Sequence, residues 1–197
     1  MKKIYVSDFT LRSSYTEKKE LTFRERLNIA SRLDDCGIDA IELPLLNGDK
    51  ENDVIYKTVA KSVENSKICI PVGDSDATVE SAWECIKDAV NPCLQVVLPV
   101  STVQMEYVYH VKSAKLFDML SKLCNKARSL CSNVEFVALD ASRADNEFLV
   151  NCCKIAKENG AGSVTLCDDS GVFFPEDFAD LVKKVKSNCD IEVFIQP

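Results

Sequence analysis

The sequence contains a single histidine, no Cys-x-x-Cys pair and no Gly-x-Gly-x-x-Gly run. Structural zinc sites draw their ligands from cysteine and histidine at fixed spacings, so the sequence predicts no zinc site of that kind. A dinucleotide-binding fold carries the glycine run directly after its first strand, and its absence argues against that fold. No apolar stretch approaches the roughly 20 residues that a membrane helix needs.

Basic residues are outnumbered, because 24 Lys and Arg stand against 31 Asp and Glu and give a net charge of −7 at pH 7. Nucleic-acid binding needs clustered Lys and Arg, so nucleic acid is not an expected partner. Two lysines follow Met1, but no long apolar stretch comes after them as it would in a secretory signal. We therefore expect a cytoplasmic protein whose partners are neither membranes nor nucleic acids.

Cysteine, by contrast, is abundant, with ten residues spread from Cys36 to Cys189. Most of them fall within apolar helix or strand patterns, where a free thiol behaves as a small buried hydrophobe. A disulfide framework is improbable in a cytosolic chain with this distribution.

Short apolar runs alternate with amphipathic helical patterns along the whole chain. Strands are predicted at residues 4–6, 38–44, 67–72, 94–100, 134–139, 163–167 and 191–195. Helices are predicted between them; the first follows a capping box at Thr22, the third a cap at Thr78, and the fourth runs from about 108 to 131. The repeat of about 30 residues is the size of a βα unit, and without a linker it predicts one domain over residues 1–197.

Two folds of the α/β class accommodate this alternation. One is an open, doubly wound sheet. The other is a (β/α)8 TIM barrel that is incomplete, with about six βα units and a seventh strand. A barrel without its last unit exposes two long edges, so on this interpretation we expect a C-terminally truncated piece of a longer chain, or a missing part supplied from elsewhere.

Polar side chains lie at or just after the carboxyl ends of the predicted strands. They are Asp8, Arg12, Glu42, Asp74, Ser101, Thr102, Asp140, Ser142, Arg143, Asp168, Asp169 and Gln196. A parallel α/β fold places its chemistry at the carboxyl ends of its strands, so these side chains could line one cavity. Acidic groups with arginines suit a divalent cation and an anionic substrate. The alternative is that these groups cap helices or pair with one another.

Five segments at these strand ends carry motifs. They are Asp8-Phe9-Thr10-Leu11-Arg12, Ile41-Glu42-Leu43-Pro44, Val100-Ser101-Thr102, the run 140–149, and the run 168–171 followed by 175–178. In this order they resemble the motifs of the pyruvate carboxyltransferase-like barrels, whose first motif is Asp-x-Thr-Leu-Arg-Asp-Gly. That family includes isopropylmalate, citramalate and homocitrate synthases and hydroxymethylglutaryl-CoA lyase.

The resemblance implies a (β/α)8 barrel in which a divalent metal chelates a 2-oxo acid. In the synthases the enolate of acetyl-CoA attacks the keto carbon and the thioester is hydrolysed, whereas the lyase cleaves a related carbon–carbon bond. Arg12 would be the catalytic residue that stabilises enolate charge, with Glu42 orienting it. The family also suggests a homodimer. The predicted substrate-binding residues are Asp8, Ser101, Thr102, Asp140, Ser142 and Asp168.

The metal ligands that the resemblance implies are not all present. Ser13 and Ser14 stand where the family has Asp and Gly, and Phe194 and Gln196 stand where it has two histidines. A hydroxyl and an amide are poor replacements for carboxylate and imidazole on a transition metal. We therefore predict a degraded metal site and assign neither metal ligands nor a cofactor.

Two further positions depart from the family pattern. Leu139 precedes Asp140 where the family often has an acidic residue, and His110 is offset from the family's loop histidine. We interpret His110 as a surface residue of the fourth helix. A divalent metal would bind only if carboxylates rebuilt an oxygen-only site. Those carboxylates are Asp8, Glu42, Asp140 and Asp168.

Three functions are compatible with these residues. The first is a divergent acyltransferase of the isopropylmalate or homocitrate synthase type, which performs a Claisen condensation of acetyl-CoA with a 2-oxo acid. The second is a catalytically inactive barrel that binds a small carboxylate at Arg12. The third is aldolase- or lyase-type carbon–carbon cleavage; a Schiff-base lysine would favour it, but Lys67 begins a predicted strand and none ends one. The family resemblance favours the first function, and the missing ligands favour the second.

Overall fold

The computed structural model describes residues 4–13 and 21–197. Residues 1–3 and 14–20, which include Ser14 and the lysines after Met1, lie outside the described residues. The chain divides into two compact units, residues 1–94 and 95–197. Within the described ranges, no helix combines the length and the apolar character that a membrane span requires.

The strands of the described residues follow one another in chain order, from β1 to β7. Their bounds are β1 (Ser7–Asp8), β2 (Ala40–Glu42), β3 (Lys67–Pro71), β4 (Pro92–Pro99), β5 (Val134–Leu139), β6 (Ser163–Cys167) and β7 (Glu192–Gln196). A doubly wound sheet reverses its strand order at a switch point, whereas this order never reverses. The doubly wound alternative is therefore wrong.

The first unit contains β1, β2 and β3, which pair in parallel with Ala40 opposite both Ser7 and Lys67. Its helices are α1 (Thr10–Ser13), α2 (Phe23–Asp35), α3 (Lys50–Ser62) and α4 (Asp76–Ile86). Helix α3 packs against both α2 and α4, so the helices follow the order of the strands that they connect. Ile41 and Ile68 are completely buried in the core of this unit.

Helix starts in the first unit follow capping rules. At α2 the predicted capping box is confirmed, because Thr22 Oγ1 accepts the N–H of Glu25 at 3.3 Å and Glu25 Oε2 accepts the N–H of Thr22 at 2.8 Å. At α4 the predicted cap was wrong by three residues. Ser75 is the N-cap. The Thr78 hydroxyl accepts the N–H of Ser75 at 3.1 Å, so Thr78, the third residue of the helix, supplies the reciprocal hydrogen bond of the capping box.

The second unit contains β5, β6 and β7, with Ser163 of β6 opposite both Glu135 and Glu192 in parallel pairing. Its helices are α5 (Thr102–Tyr107), α6 (Ser113–Leu130), α7 (Asn146–Glu158) and α8 (Pro175–Asn188). Helix α7 packs against both α6 and α8. A short 3-10 turn at Ala141–Arg143 follows β5. Pro175 is the first residue of α8, a position that its fixed φ and missing N–H suit.

Two predicted elements differ from the structure. The first strand was predicted at residues 4–6, but β1 begins at Ser7 because its partner β2 begins at Ala40, and the apolar residues before it lie exposed. The fourth predicted helix, from about 108 to 131, is α6, which begins later at Ser113, and a connection separates it from the short helix α5 that precedes it. This connection contains His110, whose φ of 51° does not occur in a regular right-handed helix. His110 is exposed as predicted, but it lies in this connection instead of a helix.

Candidate functional site

Arg12 and Glu42 are in direct contact in the first unit. Arg12 lies in the single turn of α1 that follows β1, and Glu42 is the last residue of β2. Arg12 Nη1 lies 2.8 Å from Glu42 Oε2, and the two side chains are only 18% and 12% exposed. Such a charge-assisted hydrogen bond, largely shielded from water, is stronger than an exposed ion pair. The structure therefore brings together the two residues predicted to be catalytic.

Two uncharged residues also contact this pair. The Ser7 hydroxyl donates a hydrogen bond to Glu42 Oε1 at 2.9 Å. The ring centroid of Phe9 lies 4.6 Å from Arg12 Cζ, within cation–π distance. Sequence reasoning missed both, because neither carries a charge. The register of β1 on β2 places Ser7, and a spacing of three residues places Phe9 beside Arg12.

Asp8, a predicted substrate-binding residue, starts the turn that carries Arg12. Its Oδ1 accepts the N–H of Thr10 at 2.9 Å, which is the geometry of an Asx turn. The residue is partly exposed. One of its carboxylate oxygens therefore supports the local backbone.

Asp140 lies at the centre of a hydrogen-bond network in the second unit. It follows β5 and is completely buried. Arg143 donates through Nε to Asp140 Oδ1 at 2.8 Å and through Nη2 to Oδ2 at 2.6 Å. The Ser101 hydroxyl donates to Oδ2, and the Ser170 hydroxyl donates to Oδ1 at 3.0 Å. The carboxylate therefore ties together the segments that follow β4, β5 and β6.

A second carboxylate, Asp168, lies at the end of β6 and is 7% exposed. The Ser142 hydroxyl donates to Asp168 Oδ1 at 2.5 Å, and the N–H of Phe173 donates to Oδ2 at 2.8 Å. The neighbouring Asp169 accepts the N–H of Asp140 through Oδ2 at 2.6 Å. The structure thus groups four of the predicted residues: Ser101, Asp140, Ser142 and Asp168.

The hydrogen bonds of these two carboxylates favour their ionised forms. Burial alone would raise the pKa of Asp140, but the guanidinium and the two hydroxyls that bond it lower the pKa below its ordinary value. Desolvation would likewise raise the pKa of Asp168, but the Ser142 hydroxyl and nearby backbone N–H groups lower it. Both groups are therefore anions at neutral pH.

Ser101 and Thr102 lie at the start of α5. Ser101 is completely buried, and its oxygen also accepts the N–H of Gln104 at 3.2 Å as the N-cap of the helix. Thr102 is the first helical residue and is exposed. Ser101 therefore serves as a helix cap as well as a donor to the buried carboxylate of Asp140.

The end of β7 carries the residues that stand where the family has histidines. Register places Phe194 opposite Thr165 and Gln196 opposite Cys167. The Cys167 thiol lies 3.5 Å from Gln196 Oε1 and donates to it. A phenyl ring offers a metal no ligand atom, and an amide oxygen is a weak one.

The donors present do not match the metal ligand set that the resemblance implies. No imidazole is available at the end of β7, and Ser13 replaces the carboxylate after Arg12. The Asp140 carboxylate is engaged by a guanidinium and two hydroxyls, and the Asp168 carboxylate by a hydroxyl and an N–H. An ionised carboxylate already paired with a guanidinium binds a cation poorly, because the two positive charges compete for the same oxygens.

Sequence reasoning also missed a polar network inside the sheet of the second unit. Gln95 Nε2 donates to Glu135 Oε2 at 3.1 Å, and the Thr165 hydroxyl donates to Oε1 of the same carboxylate. Glu135 is the second residue of β5, far from the carboxyl end of the strand where Asp140 lies. The signal in the sequence was an acidic residue inside an otherwise apolar run.

Comparisons with known proteins agree with the five motifs. A family described as HMGL-like matches residues 3–196. The 2-isopropylmalate synthase of Rhodopseudomonas palustris (strain HaA2) is 31% identical over 186 residues, which cover 93% of this chain and 35% of the synthase. The 2-isopropylmalate synthase of Clostridium kluyveri (strain NBRC 12016) is 28% identical over 188 residues, covering 95% of this chain and 37% of that protein. The chain thus spans about a third of the length of these relatives.

Solved structures show the same likeness in the backbone. The HMG-CoA lyase from Brucella melitensis matches with a TM-score of 0.74 at 13% identity, covering 98% of this chain and 71% of the lyase chain. The hydroxymethylglutaryl-CoA lyase from Pseudomonas aeruginosa gives a TM-score of 0.75 at 14% identity, covering 93% and 63%. Together with the unreversed order of parallel strands, this likeness confirms the predicted α/β fold of an incomplete TIM barrel.

Proposed function

Because the chain belongs to the HMGL-like family, we propose that it is a divergent acyltransferase of the isopropylmalate synthase type, which condenses acetyl-CoA with a 2-oxo acid. The substrate class comes from the 2-isopropylmalate synthases that match 93% of this chain. The observation that carries the proposal is the shielded contact of 2.8 Å between Arg12 and Glu42.

The chemistry needs a positive group where negative charge develops. Removal of a proton from the acetyl group gives an enolate, whose carbon forms a bond to the keto carbon of the 2-oxo acid. The keto oxygen becomes a hydroxyl after it takes a proton, and water then hydrolyses the thioester to a carboxylate and free CoA thiol. A guanidinium held in a partly dry site stabilises the enolate oxygen far more than it would in water.

Arg12 supplies this guanidinium, and Glu42 holds it in place. A planar guanidinium matches a carboxylate ligand in both charge and hydrogen-bond geometry. The Ser7 hydroxyl in turn fixes the second oxygen of Glu42. Substrate contacts by Asp8, Ser101, Thr102, Asp140, Ser142 and Asp168 remain predictions.

A second candidate function is binding of a small carboxylate without turnover. The observation that favours it is the end of β7, where Phe194 and Gln196 provide no imidazole. The loss of those ligands removes the polarising metal from the reaction, but it leaves the guanidinium of Arg12 to bind an anion.

A thiol-release assay and calorimetric binding separate these functions. Acetyl-CoA is mixed with pyruvate, 2-oxoisovalerate or 2-oxoglutarate, and the affinity for each oxo acid is measured without acetyl-CoA. The variants are Arg12→Ala and, as a matched control, Arg24→Ala, which changes an exposed arginine of α2. We expect oxo-acid-dependent CoA release that falls about 100-fold or more in Arg12→Ala and stays within about twofold in the control.

Each other outcome has a clear meaning. Binding of an oxo acid that needs Arg12, without CoA release, supports the second candidate function and rejects the first. The absence of both release and binding in the wild-type protein rejects both. Equal losses in Arg12→Ala and Arg24→Ala would show a general charge effect instead of a site.

A further inference from the structure

Two Asn-Gly dipeptides occur in the sequence, Asn47-Gly48 and Asn159-Gly160. An asparagine before a glycine can lose ammonia without an enzyme, because glycine has no Cβ to hinder attack by its backbone nitrogen on the side-chain amide. The sequence alone does not distinguish the two dipeptides. In the structure, the first is exposed in the segment between β2 and α3, whereas the second is partly buried directly after α7.

The atoms that must react at Asn47 are not engaged. Within the described residues, neither the N–H of Gly48 nor Nδ2 of Asn47 has a hydrogen-bond partner. Oδ1 of Asn47 accepts the N–H of Asp49 at 3.1 Å, which polarises the amide carbonyl and makes Cγ more electrophilic. A Cβ added at Gly48 would have no heavy atom beyond its chain neighbours within 4 Å, so the segment has room for ring closure.

The corresponding atoms at Asn159 are both engaged. Nδ2 of Asn159 donates to the carbonyl of Ile155 at 2.7 Å. The N–H of Gly160 donates to the carbonyl of Lys157 at 3.0 Å. Arg128 also lies close to this glycine, since its Cγ would be 2.6 Å from a Cβ added there. Deamidation at Asn159 therefore requires the end of α7 to open first, and local opening costs free energy.

We propose that Asn47 is a site of spontaneous deamidation and that the fold protects Asn159. The nitrogen of Gly48 loses its proton to hydroxide and attacks Cγ of Asn47, which forms a cyclic succinimide. The bond between Cγ and Nδ2 breaks, and Nδ2 takes a proton from water and leaves as ammonia. Water then opens the ring at either carbonyl and gives aspartate or isoaspartate, without oxidation or reduction.

Both products add a negative charge to the segment between β2 and α3. The new carboxylate lies two residues before Asp49, the N-cap of α3, and a negative charge near a helix N-terminus is favourable. Aspartate retains an oxygen that accepts the N–H of Asp49, so we expect this product to keep the turn. Isoaspartate adds a methylene group to the backbone, so we expect it to alter the segment that leads from Glu42 to α3. The inference is independent of the proposed function, because it needs no substrate.

The test follows both dipeptides in the same sample. Native protein is kept in mildly alkaline buffer, and peptides from timed samples are analysed by mass spectrometry and labelled with an isoaspartate methyltransferase. Parallel samples are kept in denaturant. The variant Asn47→Gln keeps an amide but has a side chain too long to form the succinimide ring. The matched control is Asn91→Gln, which changes an exposed asparagine whose neighbour, Pro92, has no N–H to attack.

We expect Asn47 to deamidate at least about tenfold faster than Asn159 in native protein, and the two rates to become similar in denaturant. Asn47→Gln should abolish the fast reaction, and Asn91→Gln should leave it unchanged. Equal rates in native protein, or a faster reaction at Asn159, would overturn the proposal. A fast reaction that survives Asn47→Gln would do the same, as would an Asn47 that reacts only in denaturant.

Discussion

Arg143 forms a two-pronged ion pair with Asp140, a carboxylate that is completely buried. Its Nε lies 2.8 Å from Oδ1 and its Nη2 lies 2.6 Å from Oδ2. Asp140 has a φ of 57°, in the left-handed region, so the chain turns back within three residues and brings the guanidinium over the carboxylate. The pair thus stabilises the turn that follows β5. The hydroxyls of Ser101 and Ser170 connect Asp140 to the segments that follow β4 and β6.

Removal of Arg143 is expected to destabilise the protein more than neutralisation of Asp140. The variant Arg143→Ala leaves a buried anion with only its neutral donors, whereas Asp140→Asn leaves an arginine whose side chain is 38% exposed and can be hydrated. We expect Arg143→Ala to lower the Tm by about 6 °C or more and Asp140→Asn by less. Differential scanning calorimetry at pH 7 measures both.

The control for this pair is Lys183→Ala, because Lys183 bonds Asp180 at 2.9 Å and the two side chains are 76% and 78% exposed. An exposed pair contributes little, so the Tm should fall by less than about 2 °C. A larger loss in Lys183→Ala than in Arg143→Ala would contradict the importance assigned to the buried pair.

Asp34 is predicted to make the free energy of unfolding of the first unit depend on pH. The residue is 7% exposed and accepts the N–H groups of Glu64, Asn65 and Ser66. Burial alone would raise the pKa of Asp34, but these backbone donors lower it from 3.8 to about 2. Since the folded-state pKa is depressed, the stabilisation is fully present above about pH 4 and is lost as the pH falls to about 2.

The variant Asp34→Asn tests this directly. At pH 7 it should lose about 2 kcal/mol of unfolding free energy, because a shift of nearly two pKa units is worth about that much. The difference from wild type should shrink as the pH is lowered from 4 to 2, as urea unfolding at several pH values would show. Asp180→Asn, an exposed carboxylate, should follow the wild-type curve. A constant difference at every pH would show that the charge of Asp34 is not the cause.

The strand ends could be predicted from the sequence, because each apolar run stops at a polar residue. Glu42 and Asp140 lie where the pattern put them, at the end of β2 and just after β5. The HMGL-like motifs were readable for the same reason, since they occupy these ends. The pattern thus located residues at the carboxyl ends of strands, where a parallel α/β fold carries its chemistry.

The partners of those residues could not be predicted. The hydroxyl of Ser170 reaches Asp140 across 30 positions, a contact that depends on the register of β5 with β6. Arg143 reaches Asp140 because Asp140 itself has a left-handed backbone conformation, which is uncommon outside glycine. Hydrophobic periodicity carries no information about strand register or about a left-handed backbone conformation. Whether the strand-end groups pair with one another could therefore be decided only from the structure.

Thiol reactivity should be confined to one residue of the native protein. Cys36 is exposed, whereas the other cysteines are buried. Burial and the charge of Asp53 raise the pKa of Cys85 to about 11, and burial raises that of Cys124 to about 12. Because the thiolate is the reactive form, DTNB should titrate about one thiol quickly in native protein and all ten in denaturant. Cys36→Ser should remove the fast phase and the background of the thiol-release assay, and a fast phase that survives it would contradict this assignment.

Metal binding should be weak in the wild-type protein and should rise when histidines are restored to β7. Residues 194 and 196 are two apart on one strand, so their side chains lie on the same face of the sheet. The double variant Phe194→His/Gln196→His therefore places two imidazoles side by side, as the family pattern has them. After dialysis, elemental analysis should find much less than one Zn, Mn or Mg per wild-type chain, and the variant should bind Zn²⁺ at least about tenfold more tightly because imidazole is a far better ligand than an amide. Stoichiometric metal in the dialysed wild-type protein would show that other side chains hold the cation, and the degraded-site prediction would then be wrong.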